Sequence, residues 1–378
     1  FRCVGRHVPP PSDIRWRWTT SDGRKAVRRA LKEPRRTERT ARIAFTYMGT
    51  VVGAGFASGQ EVFQFFTKYG ATATWCILIA VGLFVGIGVR LLLAAHRLGV
   101  ESYEELNRRL FGDRAGRWIG LFLMAALFGI SVVMTAGAGS LLEEQFGLPL
   151  EAGLLATVLA AYAALRRGLQ AIIAANSIVV PAMAVFVALA VWRTVGEPQA
   201  DNWLSLESDE SPLMAWASPW LYGAFNLATA QAVLVPLGAS VRDRRRLLFG
   251  GTIGGVGIGA MLLGMHFALS AHMPDVSQFE VPMSAVMGDV GPTAATLFSL
   301  VVLGEIFTTL IADLYGLSLQ IRDRFGVPPE RSVPALLALC FAAGQFGFSA
   351  LLSVLYPLFG LISAVWLGLM LARRRLAA

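Results

Sequence analysis

The chain has 378 residues, 55% of them hydrophobic and only 15% charged, with a mean hydropathy of +0.58. Soluble domains carry roughly 25% charged residues; here the charges cluster, leaving apolar runs of about 20 residues that match the ~30 Å hydrocarbon core of a bilayer. A soluble enzyme, a disulfide scaffold and a disordered chain are excluded on those grounds.

Residues 1–42 form a basic tail with 13 Lys/Arg and 4 Asp/Glu, a net of +9, whereas residues 43–378 hold 20 and 21, a net of −1. The formal charge of +8 therefore belongs to the tail and points to no nucleic-acid partner. The tail is expected as a disordered cytoplasmic arm near anionic lipid, or as sequence translated ahead of the true start. It holds no apolar core of the signal-peptide kind.

Hydrophobic segments follow at about 41–68, 71–95, 117–142, 148–165, 169–192, 213–238, 247–271, 292–320, 332–349 and 350–372, ten in all. The first, FTYMGTVVGAGFASGQEVFQFF, crowds Gly49, Gly53, Gly55 and Gly59 with Ser58 into its middle, and Gln60 and Glu61 follow. Between the second and third, Ser102 with Glu105 forms a capping box, Glu104/Arg108 and Glu105/Arg109 form i,i+4 pairs, and Gly112 is a stop. A short surface helix is expected there. In the fifth, Asn176 and Ser177 either line a pathway or bond between helices. The segment 193–212 is the linker, dividing the spans five and five.

The sixth span, WASPWLYGAFNLATAQAVLVPLG, carries Gly223, Asn226, Thr229 and Gln231 mid-way. In the seventh, Gly251, Gly255 and Gly259 repeat every four residues as a packing face, and His266 is expected as a packed polar residue, with a proton relay as the alternative. The glycine strings in spans one and seven follow no strand, so neither is a dinucleotide fingerprint. The eighth span, LVVLGEIFTTLIADLYG, holds two acids, Glu305 and Asp313, and Thr308 and Thr309 share a face with Glu305. The last two spans run 41 residues uninterrupted from Ser332 to Ala372, about twice one crossing, with a turn expected near Gly347-Phe348-Ser349. Cys3, Cys76 and Cys340 and the four histidines show no metal or disulfide spacing.

Placing the N-terminus in the cytoplasm leaves only Lys68 and Arg193 outside, with the other 31 of 33 Lys and Arg inside. Both termini are expected to be cytoplasmic, in the plasma membrane. Five spans per half require that any repeat be inverted, and inverted-repeat transporters bind solute where helices are interrupted at mid-membrane. The first span of each half is therefore expected to be broken. The alternative is that these glycines serve close helix packing.

VGAGFASGQE, the aromatic-rich QFFTKYG after it, and FEVPM beyond span seven resemble the YkvI-type membrane proteins, over about residues 42–372. That family stands with the amino acid–polyamine–organocation superfamily of the leucine-transporter (LeuT) fold. The resemblance implies an all-α membrane protein of ten helices in a 5+5 inverted repeat, 43–192 and 213–372, with helices 1 and 6 broken and short tails at 1–42 and 373–378. It also implies a sodium site between helices 1 and 8, which falls on the Gly49 and Val52 carbonyls, the Glu305 carbonyl and the Thr308 and Thr309 hydroxyls. Oxygen ligands of this kind suit a small hard cation. Glu305 either adds charge to a sodium site or titrates in its place, so coupling is to Na+ or H+. The absence of Lys and Arg from 168–192 favours sodium, because some proton-driven relatives of this fold carry a lysine there. The alternative is that both hydroxyls bond back to their own helix.

For the solute, the amides of Ala54, Gly55 and Phe56 can donate to a carboxylate. Carbonyls from Tyr222 through Gly223 to Phe225 can accept from an ammonium, with Asn226 beside them and Phe56 and Phe225 as walls. That set suits a small zwitterion such as an amino acid. Acids inside a membrane are functional by default; Glu61 and Asp313 are assigned to gating or coupling, with Lys68 or Gln64 as the alternative partner of Glu61. The leading expectation is a cation-coupled symporter with no cofactor beyond the ion. The second is a non-transporting sensor on the same fold acting through a partner protein. An enzyme has no nucleophile–base pair to support it.

Overall fold

The computed structural model describes residues 36–100, 103–166, 169–279 and 281–372. Every regular element among them is helical. Six helical stretches are long and apolar enough to cross a membrane: Thr72–Leu98, Asp113–Phe146, Pro212–Ser240, Arg244–Ala271, Pro292–Arg322 and Ala350–Ala372. Their outer faces expose large apolar side chains, among them Trp118, Phe249, Val354 and Val365, which only lipid or a partner can cover. The protein is an integral membrane protein.

The first span is three helices in series: α1 (Arg36–Val51), α2 (Ala54–Ala57) and α3 (Gln60–Phe65). α1 starts six residues ahead of the expected end of the tail, because RTERTAR is built of good helix formers with Glu38 four residues before Arg42. The rest of the tail, 1–35, and the terminal 373–378 lie outside the described residues. The second span is α4 (Thr72–Leu83), a π-turn at Phe84–Gly88 and α5 (Val89–Leu98). A π-turn widens the helix and loosens its carbonyl ladder; Tyr47 Oη donates to the Phe84 carbonyl at 2.8 Å.

The surface helix α6 (Tyr103–Phe111) ends at Gly112, whose φ is +89°. Glu105 pairs with Arg109 as expected, but Arg108 turns to Asp113 at 2.7 Å instead of Glu104. The capping box at Ser102 lies outside the described residues. Then come α7 (Asp113–Phe146), α8 (Leu150–Leu165), α9 (Leu169–Thr194), the short α10 (Asn202–Ser205), α11 (Pro212–Ser240) and α12 (Arg244–Ala271). α13 (Pro282–Val290), α14 (Pro292–Phe325), α15 (Pro329–Gly344) and α16 (Phe348–Ala372) complete the chain. The turn between the last two has Gly347 at φ +83°, where it was expected.

Two groups of helices emerge from the packing. α1, α4–α5, α11 and α12 form one; α7, α8, α14 and α15 form the other; α9 and α16 each touch both. Without a hydrophobic drive inside lipid, close backbone approach supplies the attraction. The α12 glycines show it: a Cβ on Gly254 would stand 2.8 Å from Tyr47 of α1, and one on Gly251 or Gly255 2.9 Å from α5 or the π-turn. The packing face read from Gly251, Gly255 and Gly259 thus meets the second span.

Polar contacts tie the helices together at both ends of the bundle. At one end Asn107 of α6 donates to Gln231 Oε1 of α11 at 2.8 Å and accepts from Trp366 Nε1 of α16 at 3.0 Å. At the other, the linker lies over the first two spans: Ala71 N bonds to Leu206 O at 2.9 Å and Thr74 Oγ1 to Trp203 O at 2.7 Å. His272 Nε2 closes the same end, 3.0 Å from Asp289 and 3.5 Å from Glu197.

Candidate functional site

The first break falls at Val52–Gly53, where Gly53 is extended (φ −102°, ψ −169°) and its amide turns to Val51 O at 3.0 Å. Among the described residues, no backbone amide across the break donates to the Gly49 or Val52 carbonyl. A second break sits at Ser58–Gly59, with Gly59 left-handed at φ +85°. A freed backbone group at membrane depth costs several kcal/mol unless it finds a partner. Here Met283 N donates to Ser58 O at 3.0 Å, Ser58 Oγ to Gly55 O at 3.0 Å, and Gln60 N to Ser58 Oγ at 3.2 Å. The expected interruption of helix 1 is present.

α14 faces this break. A Cβ on Gly53 would stand 3.5 Å from Thr309 Oγ1, so that hydroxyl overlooks the unwound segment. Glu305 is 1% exposed, and its Oε1 has no hydrogen-bond partner among the described residues. Thr308 Oγ1 donates back to Glu305 O at 3.1 Å, within its own helix. Gly49 packs on Val180 of α9, where a Cβ would meet Cγ2 at 2.8 Å. The structure thus joins Thr309 to the break and leaves Thr308 bonded to its own turn.

The solute half of the expectation needs a correction. α11 runs unbroken through Gly223, so helix 6 is not interrupted. Its polar side chains hold the ladder shut: Asn226 Nδ2 donates to Tyr222 O at 3.1 Å, Thr229 Oγ1 to Phe225 O at 3.1 Å, and Gln231 Nε2 to Ala228 O at 2.9 Å. Even Pro219, which removes a donor to Ala215 O, is compensated there by Ser218 Oγ (3.0 Å) and Cys76 Sγ (3.2 Å). A glycine disfavours helix by about 1 kcal/mol, less than the several kcal/mol of an orphaned carbonyl in lipid. Gly223 is a contact with Leu83, and the carbonyls from Tyr222 to Phe225 are not free to receive an ammonium.

What α11 contributes instead is the Tyr222 ring. It is enclosed by Phe65 (centroids 5.3 Å), Phe66 (5.1 Å) and Phe84 (6.0 Å). Phe225 lies on Tyr356 of α16 at 4.7 Å, and Phe56 is fully buried. Glu61 folds back over α2: a Cβ on Gly55 would collide with its carboxyl. The carboxyl faces the phenols of Tyr222 and Tyr356, and Tyr356 is also within electrostatic reach of Asp313. Glu61 Oε2 and Asp313 Oδ2 are enclosed without hydrogen-bond partners among the described residues, and the Tyr222 hydroxyl lies beside the Glu61 carboxyl.

Lys68, the alternative partner of Glu61, goes to Glu210 at 4.0 Å. His266 is packed as expected, with Nδ1 3.1 Å from both Thr67 Oγ1 and Ser270 Oγ. The side chains of Asn176 and Ser177 lie outside the described residues. Tyr356 was missed in sequence; a lone tyrosine before Pro357 in an otherwise apolar span is the signal that marks it.

No protein-family model matches the chain. It is 35% identical over 341 residues to the uncharacterized membrane protein YkvI of Bacillus subtilis, covering 88% of this chain and 96% of that one. Identity to the uncharacterized protein YyaD of the same organism is 25% over 316 residues, covering 84% and 91%. Among solved structures it resembles the LeuT-fold transporter MhsT, crystallised with L-phenylalanine (TM-score 0.64, 16% identity, 86% of this chain and 88% of that one). It also resembles the inward-facing conformation of Mhp1 (TM-score 0.63, 17% identity, 89% and 77%). With its first span broken against α14 and its fold that of the LeuT-type transporters, the chain belongs to the YkvI family of membrane proteins.

Proposed function

We propose that this chain is a secondary active transporter that couples Na+ or H+ to symport of a small organic solute carrying an ammonium group, an amino acid or a related compound. The observation that carries this reading is the twice-broken first span, its break at Gly53 set against Thr309 of α14, one helical turn from the buried Glu305. Irregular backbone at membrane depth is tolerated only where protein or a cavity covers it, and such breaks are where inverted-repeat transporters bind. The two helix groups supply bodies that can rock against each other, and the polar contacts that tie each end are where two gates would act.

In this reading ten spans form the inverted repeats 43–192 and 213–372. Segment 193–212 faces outward, and the tails 1–42 and 373–378 lie in the cytoplasm beneath the plasma membrane. The cation sits among the Gly49 and Val52 carbonyls, Thr309 and Glu305, with Thr308 bracing the Glu305 carbonyl. The solute lies against Ala54, Gly55 and Phe56 on one side and the side chains of Tyr222 and Phe225 on the other, with Glu61 and Asp313 coupling it to the gates. The L-phenylalanine in MhsT supports a solute of this size. Uptake into proteoliposomes across a pH series, with choline replacing sodium, tests the reading. Dependence on either sodium or the proton gradient is expected; uptake indifferent to both overturns it.

A further inference from the structure

We propose that a basic cleft between α7 and α14 holds the phosphate headgroup of an anionic phospholipid, at the end of the bundle where the surface helix α6 packs. The cleft shares no residue with the broken first span, and the inference needs only that the chain is a membrane protein.

Arg114, Arg117, Trp118 and Leu121 stand at i, i+3, i+4 and i+7 near the start of α7, so they share one helix face. α14 packs against α7, and Arg324 of its last turn completes the lining of a cleft of about 300 Å³. That is the lower end of the range for small-molecule pockets, a size for a headgroup rather than a large ligand.

Three guanidinium groups from two helices thus face one space, and none of them is in an ion pair among the described residues. The nearby acids are turned elsewhere. Asp113 is held by Arg108 and Glu105 by Arg109. Glu104 lies further along α7, where a Cβ on Gly120 would stand 3.6 Å from its carboxyl carbon. Like charges gathered without a counter-ion repel one another, whereas guanidinium forks match phosphate oxygens in pairs. The cleft is built for an anion with several oxygens.

Its setting selects a lipid over a soluble phosphate. Trp118 is 73% exposed directly after Arg117, and no charged residue follows on α7 until Glu143. The cleft therefore sits at the edge of the apolar surface, the level where tryptophan concentrates in membrane proteins. Basic pockets between spans at that level suit phospholipid headgroups. A free phosphate would meet the arginines alone; a phospholipid also covers the Trp118 ring and Leu121 with its acyl chains.

The test titrates the full-length protein, delipidated in a neutral detergent, with dioleoylphosphatidylglycerol, dioleoylphosphatidylcholine and glycerol 3-phosphate, with binding read by native mass spectrometry. Phosphatidylglycerol is expected to bind at least roughly tenfold tighter than either of the others. The triple variant Arg114→Gln, Arg117→Gln, Arg324→Gln should lose that preference. A control that removes the same charge from three exposed arginines outside the cleft, Arg244→Gln, Arg245→Gln, Arg331→Gln, should keep it. No preference over phosphatidylcholine, a preference unchanged in the cleft variant, or one lost equally in the control overturns the inference. Glycerol 3-phosphate binding as tightly as phosphatidylglycerol overturns the lipid as the occupant. Should the triple variant fail to fold, Arg117→Gln takes its place, with a loss of at least roughly threefold expected and an unchanged affinity overturning the site.

Discussion

The first and sixth spans carry the same ingredients, mid-span glycine with polar neighbours, yet one is broken twice and the other runs unbroken from Pro212 to Ser240. Glycine content alone does not separate them. In the first span the freed groups find partners outside the helical ladder, with Met283 N on Ser58 O and the Ser58 hydroxyl bridging Gly55 O and Gln60 N. In the sixth, Asn226, Thr229 and Gln231 turn inward onto their own carbonyls. Unwinding in lipid therefore follows the supply of outside partners, and glycine only permits it.

The largest expected effect is at Gly55. Gly55→Val drives a side chain into the Glu61 carboxyl. Overpacking of about 1–3 kcal/mol at the site corresponds to roughly a 5- to 150-fold loss of solute affinity, read by calorimetry. Next, Gly59→Ala forces a side chain into a left-handed conformation and within 2.7 Å of Met283 Cγ. A loss of about 1–2 kcal/mol is expected, seen as a lower midpoint in thermal unfolding, with weaker transport. Thr309→Val removes the hydroxyl that overlooks Gly53. Losing one ligand of about 1 kcal/mol should raise the half-saturating cation concentration about fivefold with little change in melting.

The smallest effect, and the sharpest control, is Gly223→Ala in the sixth span. Its Cβ meets only the far end of Leu83, at 2.8 Å, and alanine gains up to about 1 kcal/mol of helix propensity. Uptake should stay within about twofold of wild type. A loss as deep as that of Gly55→Val would mean that the sixth span unwinds during transport and would dissolve the contrast.

Much of the architecture was legible because it is carried by local pattern. Apolar runs, the Gly347 turn, the surface helix ended by Gly112 and the glycine face of span seven each depend on neighbours in sequence. The break in the first span was legible for the same reason, as four glycines within eleven residues. The tail boundary was placed late because charged residues were equated with disorder, although RTERTAR is a good helix former.

The central cluster was not legible. The alternative partners of Glu61, Lys68 and Gln64, are its neighbours along the chain, whereas it faces Tyr222 and Tyr356, supplied by α11 and α16. The Asn107–Gln231–Trp366 closure likewise joins three elements far apart in sequence. No periodicity encodes such pairings. The failure at span six has a different origin: a side chain that can line a cavity can equally bond back to its own turn, and composition does not distinguish the two.

Concentrative uptake tests the central claim most directly. Proteoliposomes holding the wild-type protein, loaded in choline buffer, are given an inward sodium or proton gradient, and the internal level of each member of a labelled amino-acid panel that includes L-phenylalanine is followed over time. The account predicts accumulation above the external concentration that collapses when the gradient is dissipated and is absent with Gly55→Val. Equilibration alone, or accumulation unaffected by Gly55→Val, would contradict it.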